Sequence, residues 1–202
     1  MTRVAVVSAG LGVPSSTRLL ADRLAEATDR AVGGHAEIDV VELRPLAHAL
    51  ADHLLTGFPS GDLAAAIDTV RRADALIVVT PVFSASYSGL FKTFVDVLEP
   101  GLLDGTPVLI AATAGTSRHS LVLEHALRPL FAYLRAVVVP TGVFAASEDF
   151  ADPRLSERIE RAAGELAGLL TGRRGLHVVR DGFTDPVSFD ELLKRAGSSP
   201  TA

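Results

Sequence analysis

Five short apolar runs, rich in valine, recur along the chain, and helical patterns fill the spaces between them. They are RVAVVS (Arg3–Ser8), AEIDVVEL (Ala36–Leu43), ADALIVVT (Ala73–Thr80), TPVLIAAT (Thr106–Thr113) and AVVVPTGVFA (Ala136–Ala145). Each is short for a helix and carries β-branched residues, so each reads as a strand. The third is apolar throughout, as a strand covered on both faces must be. Strands separated by helices cannot close as hairpins. They need crossover connections, and repeated crossovers make a parallel sheet with helices on both faces.

The helical patterns support this. Leu19, Leu20, Leu24, Ala27 and Ala31 recur at helical spacing from Ser16 to Ala31. Further helices are expected over Asp62–Arg72, Gly89–Leu98, Ser120–Leu134 and Pro153–Leu170, the last with proline in its first turn. The expected fold is α/β: a flavodoxin-like three-layer sandwich with a five-stranded parallel sheet, order 2-1-3-4-5, or a trimmed Rossmann domain. One domain over residues 1–172 is expected. After Gly172 the pattern changes, and residues 173–202 read as a C-terminal appendage packed on the domain or on a partner subunit.

Composition narrows the chemistry. The chain has no cysteine, which removes disulfides, thiolate zinc sites and thiol catalysis. Its net charge is −5 with Lys and Arg scattered, so no basic stripe suits nucleic acid. No apolar run reaches the roughly 20 residues of a membrane span. The first residues run into a strand that Gly10, Gly12 and Pro14 soon break, unlike a secretory signal. A cytoplasmic location is the expectation. The histidines lack metal-ligand spacing, and no G-x-S-x-G elbow occurs.

In an open parallel sheet, ligands bind beyond the carboxyl ends of the strands. After the first strand comes SAGLGVPSST, where small residues admit an anion and Ser15, Ser16 and Thr17 add hydroxyls at a helix start. No lysine follows, which argues against a Walker loop. After the third strand, TPVFSASYSGLFK offers Pro81, Val82, Phe83 and Tyr87, a stiff apolar surface suited to a flat ring or to a neighbouring subunit. After the fourth, ATAGTSRHS offers backbone N–H groups with Thr113, Thr116 and Ser117 for a heterocycle's polar edge. A phosphate loop, an apolar wall and an amide-rich loop suit FMN better than a dinucleotide.

Two of these stretches carry a resemblance. TPVFSASYSGLFKTFVD and ATAGTSRHSLVLEHALRPLFAYL resemble the NAD(P)H-dependent FMN reductases of two-component sulfonate monooxygenases, over roughly Val4–Phe150. The resemblance implies a flavodoxin-like fold, FMN at the three loops, and hydride transfer from NADPH or NADH to the flavin with no catalytic side chain. It implies cofactor contacts at Ser8, Ser15, Ser16, Thr17, Pro81, Val82, Phe83, Ser84, Tyr87, Thr113, Ala114, Gly115 and Thr116, and no metal. It further implies a homodimer or homotetramer with Ser120–Leu134 near an inter-dimer contact, and a flavin-dependent monooxygenase as the recipient of reduced flavin. The sequence departs from the family where the first loop lacks an arginine, Phe83 stands for a tyrosine, and His125 stands where some members insert an aromatic.

Three other readings compete. GLGVPS imitates the Rossmann fingerprint, with Glu42 as a ribose-binding acid, but Ser15 replaces the packing glycine. A flavodoxin-type electron carrier would show a more acidic face. A quinone, azo or metal-ion reductase would share the same fold and pocket.

Overall fold

The computed structural model describes residues 1–59 and 61–172. The expected appendage, 173–202, lies outside the described residues. Along the chain run β1 (Thr2–Ser8), α1 (Ser16–Ala31), β2 (Ala36–Glu42), α2 (Ala47–Thr56), α3 (Gly61–Arg72) and β3 (Ala75–Phe83). Then follow β4 (Ser86–Tyr87), α4 (Gly89–Asp96), β5 (Pro107–Ala114), α5 (Arg128–Tyr133), β6 (Val137–Val138), β7 (Val143–Ala146) and α6 (Pro153–Gly172).

The sheet order is β2-β1-β3-β5-β6, with β7 also on β5 and β4 on β3. This is the expected 2-1-3-4-5 arrangement with its fifth position shared by two short strands. All pairings are parallel except β3 with β4. Alternate residues of each central strand point to opposite layers. Val4, Val6, Ile77 and Leu109 face α1 and α6, whereas Ala5, Val7, Val78 and Ile110 face α2 to α5. Leu19 and Ala31, expected on the buried stripe of α1, are exposed, and Leu20, Leu24 and Ala27 carry the burial.

The fifth strand is broken for a reason visible in its residues. Val139 to Gly142 span on one side what Leu109 and Ile110 span on β5. Pro140 has no N–H for the ladder. The excursion is held from both sides: Arg128 donates to the Val139 and Pro140 carbonyls, and Thr141 donates through its N–H and hydroxyl to Glu165 of α6. At Gly142 a Cβ would meet Leu123 Cδ1 at 3.1 Å, so a larger residue there would need the Leu123 side chain to give by a few tenths of an ångström.

The expected helix over Ser120–Leu134 is not continuous. A 3₁₀ turn at Ser117–His119 and a π turn at Leu123–Leu127 precede α5. The wide turn keeps Val122, Leu123, Leu127 and Phe131 buried together, while His125 stays exposed.

Candidate functional site

Loop residues 9–15 cross the carboxyl end of β1 and lead into α1. Ser15 is the N-cap: its backbone is extended, and its hydroxyl accepts from the Arg18 N–H at 3.2 Å. That leaves the Ser16 and Thr17 N–H groups without intrahelical acceptors at the positive end of the helix. Gly10 lies directly beneath, and a Cβ there would meet Ser15 Oγ at 2.1 Å. The glycine therefore admits the cap.

The wall opposite is a built hairpin. β3 continues through Pro81, Val82 and Phe83, where the sequence predicts a loop, and turns back as β4 with Val82 opposite Tyr87 and Phe83 opposite Ser86. The turn residues Ser84 and Ala85 have φ of 50° and 65°, the left-handed pair of a type I′ turn without glycine or asparagine. Each such residue stores about 1 kcal/mol of backbone strain. Buried Thr80 anchors the base: its hydroxyl accepts from the Ser88 N–H at 3.0 Å and donates to the Pro81 carbonyl. Ser88 in turn caps α4 through the Phe91 N–H. Tyr87 packs on Phe91 with ring centroids 5.9 Å apart, so the wall rests on the core.

Between them the end of β5 presents Thr113, Ala114 and Gly115. Thr113 and Thr17 are both buried, and their hydroxyls lie 2.8 Å apart, joining the first turn of α1 to the end of β5. One O–H serves that bond, and the other remains available to donate.

These parts enclose a pocket of about 240 Å³. Of the residues predicted from sequence, Ser15, Ser16, Thr17, Pro81, Val82, Phe83, Thr113, Ala114 and Gly115 line it together. Ser8, Ser84, Tyr87 and Thr116 do not. Ser8 is buried beneath the loop, Ser84 sits at the hairpin tip, Tyr87 supports the wall from behind, and Thr116 is exposed past the strand end. Leu11, Gly12, Pro14 and Ser147 line the pocket without having been predicted. Ser147 follows β7, whose carboxyl end reaches the same edge; the AAS at the end of the fifth run was the signal. Among the described residues no lining side chain is ionisable.

Larger depressions exist, of about 520 Å³ beside α1 and α6 and about 550 Å³ beside α2 and α3, but no strand residue lines either. The ends of β3 and β5 open together on the smaller pocket. Arg18 is not free to enter it. Asp22 and Glu42 hold its guanidinium at 2.7 and 3.0 Å and raise its pKa, with the Asp22 hydrogen bond the largest cause. That pairing also occupies Glu42, the acid a Rossmann reading would give to a ribose. Among the described residues no cluster of three or more His, Cys, Asp or Glu is placed to hold a metal, and no helix is long and apolar enough to cross a membrane.

A doubly wound parallel sheet with a neutral, hydroxyl-rich pocket at its carboxyl edge defines a protein of the flavodoxin-like class. Residues 2–151 match the family described as NADPH-dependent FMN reductase, and the chain belongs to that family. An FMN reductase (NADPH) of Pseudomonas aeruginosa is 40% identical over 181 residues, which cover 86% of this chain and 95% of that protein. The NADH-dependent FMN reductase SfnF of Pseudomonas putida is 39% identical over 164 residues, 79% of this chain and 88% of that one. A crystal structure of an oxidoreductase from Corynebacterium diphtheriae superposes with a TM-score of 0.82 at 49% identity, covering 85% of this chain and 98% of the other.

Proposed function

We propose that the chain reduces FMN with NADPH or NADH, with the flavin held at the carboxyl-edge pocket, and hands the reduced flavin to a flavin-dependent monooxygenase. One observation carries the reading: the α1 N-terminus with its hydroxyls, the stiff Pro81–Phe83 wall and the β5 end line a single pocket.

The residues fit a phosphorylated flavin. The free N–H groups of Ser16 and Thr17, the helix dipole and the Ser16 hydroxyl suit a phosphate without any side-chain cation. The Gly10 position keeps the capping hydroxyl in place, and a larger residue would displace it. Val82 and Phe83 offer a flat apolar face, and the backbone at Ala114 and Gly115 offers polar groups to a ring edge. FMN supplies the hydride-accepting ring when bound. The chain itself supplies position and a water-poor wall. Among the described residues no lining side chain can transfer a proton near neutrality, so the rate rests on alignment of the two rings.

A relative named as an NADH-dependent FMN reductase supports the reduction step, and the hand-over rests on the resemblance of TPVFSASYSGLFKTFVD and ATAGTSRHSLVLEHALRPLFAYL to the reductases of two-component monooxygenases. A homodimer or homotetramer in the cytoplasm completes the proposal. Exposed Leu11 and Phe83 on the pocket rim, with exposed Val13 on the same first loop, support burial against another chain.

The test is oxidation of NADPH and NADH by the purified protein with and without added FMN. Strong dependence on FMN is expected. Absence of oxidation at every FMN concentration overturns the proposal, as does oxidation at the same rate without flavin.

A further inference from the structure

Among the described residues that line the carboxyl-edge pocket, Ser147 alone comes from beyond β7. It is exposed, and its side chain makes no hydrogen bond to any described residue. The turn that carries it is nonetheless pinned on two sides. Within the 3₁₀ turn Ser147–Ala151, Asp149 Oδ2 accepts from the Ala146 N–H at 2.8 Å, and Arg158 of α6 lies 3.9 Å from the same oxygen. Arg23 of α1 donates to the Phe150 carbonyl at 3.3 Å and lies over the Phe150 ring, 5.5 Å from its centroid. An unpartnered hydroxyl is thus held at the pocket by contacts to both α1 and α6.

This is the phosphate side of the pocket. Val82 and Tyr87 of the apolar wall pack in the layer of α2 to α5, whereas Phe150 packs with α1 and α6 in the other layer. At the sheet edge, Thr17 of α1 meets Thr113, and the next residue of β5, Ala114, stands opposite Ala146. The first turn of α1 and the residue after Ala146 therefore flank the end of one strand. Neighbouring strands lie about 4.8 Å apart, so a phosphate on the Ser16 and Thr17 N–H groups comes within reach of a hydroxyl at Ser147. The acids that follow Ser147 do not oppose it there. Glu148 and Asp149 are absent from the lining, and Asp149 is engaged by the Ala146 N–H. In a cradle whose described lining has no cation, each hydroxyl that donates to an anion counts for more than one donating to a neutral group.

We infer that Ser147 donates its hydroxyl to the flavin 5′-phosphate and helps the site select a phosphorylated flavin over an unphosphorylated one. The inference rests on the reductase reading above and adds a phosphate donor from the opposite side of β5 to α1.

The experiment is fluorescence titration of FMN and of riboflavin with the full chain, as wild type, Ser147→Ala, Ser147→Thr and Ser147→Asp. Ser147→Ala is expected to weaken FMN about tenfold and riboflavin by less than about twofold. Ser147→Thr restores the hydroxyl and keeps the preference for FMN. Ser147→Asp sets a carboxylate against the phosphate and weakens FMN about a hundredfold, while riboflavin still binds. In turnover the Ser147→Ala loss falls on KM for FMN and not on kcat. Unchanged FMN affinity in Ser147→Ala overturns the inference. So does an equal loss for both flavins, which would place the hydroxyl on the ring or the ribityl chain, or a Ser147→Asp variant that binds FMN as wild type does. Failure of the reductase reading is separate: it appears as no FMN-dependent oxidation of either nucleotide, while the comparison of flavins is read without a reductant.

Discussion

The two layers that sandwich the sheet are built from different materials. The layer of α1 and α6 is closed by small residues: Ala21, Ala25, Ala27, Ala162 and Ala163 are buried, and among the described residues no aromatic is fully buried there. The layer of α2 to α5 holds Phe91, Phe94, Phe131 and Phe144, with Phe91 and Phe131 centroids 6.3 Å apart. Each material serves one half of the pocket. Alanines let α1 lie close to the sheet and to α6, which brings its N-terminus to the strand ends. Aromatics fill the wider space under the Pro81–Tyr87 hairpin and hold it up as a wall. The phosphate end of the pocket therefore depends on tight approach, and the ring end on bulk.

Phe91→Ala strikes the aromatic layer and carries the largest effect, a loss of roughly 3–5 kcal/mol in urea unfolding. Because the wall then sags, riboflavin and FMN should weaken alike in fluorescence titration. Ala163→Leu strikes the other layer by overpacking the α1–α6 contact, with a loss of roughly 1–3 kcal/mol. Here FMN should weaken more than riboflavin, since the displaced element serves the phosphate. If both variants affect the two flavins equally, the division of labour between layers is wrong.

Thr17→Val removes the bond between the halves, with a stability loss of roughly 1–2 kcal/mol because the buried Thr113 hydroxyl loses its partner. A double-mutant cycle with Thr113→Val should recover part of that loss, and strict additivity would deny the coupling. Gly10→Ala is smaller, about 1 kcal/mol, the worth of the Ser15 cap it displaces. Its loss in FMN affinity should again exceed that in riboflavin. Smallest and of opposite sign, Ala85→Gly should stabilise by roughly 0.5–1 kcal/mol through relief of the left-handed turn. A destabilisation would show that the tip is not strained.

How much of this was legible in the sequence depended on whether side-chain pattern or backbone geometry carried the information. The strands, α1 and α6 announced themselves because burial imposes a period on apolar residues. α2 did not, because among Ala47–Thr56 only Leu50 is buried while Leu54 and Leu55 are exposed, so no stripe forms. The hairpin escaped notice since its second strand has two residues and its turn uses Ser84 and Ala85 instead of Asn-Gly. The π turn changes backbone phase without changing composition. At the site, small-residue loops after three strands were readable. Ser147 lies two residues past the end of the fifth run at Ala145, within one residue of where β7 ends, and it was missed because only the ends of the first, third and fourth strands were taken to meet at the site.

The pocket's lack of ionisable lining residues has a kinetic meaning. Helix-end partial charges act within a turn's length and are screened by salt, as full charges are over about 10 Å at 0.1 M. With no ionisable side chain among the described lining residues, the pocket offers the flavin phosphate these partial charges and no full one. Flavin affinity should therefore fall only gently as salt rises, and flavin exit should be timed mainly by contact geometry.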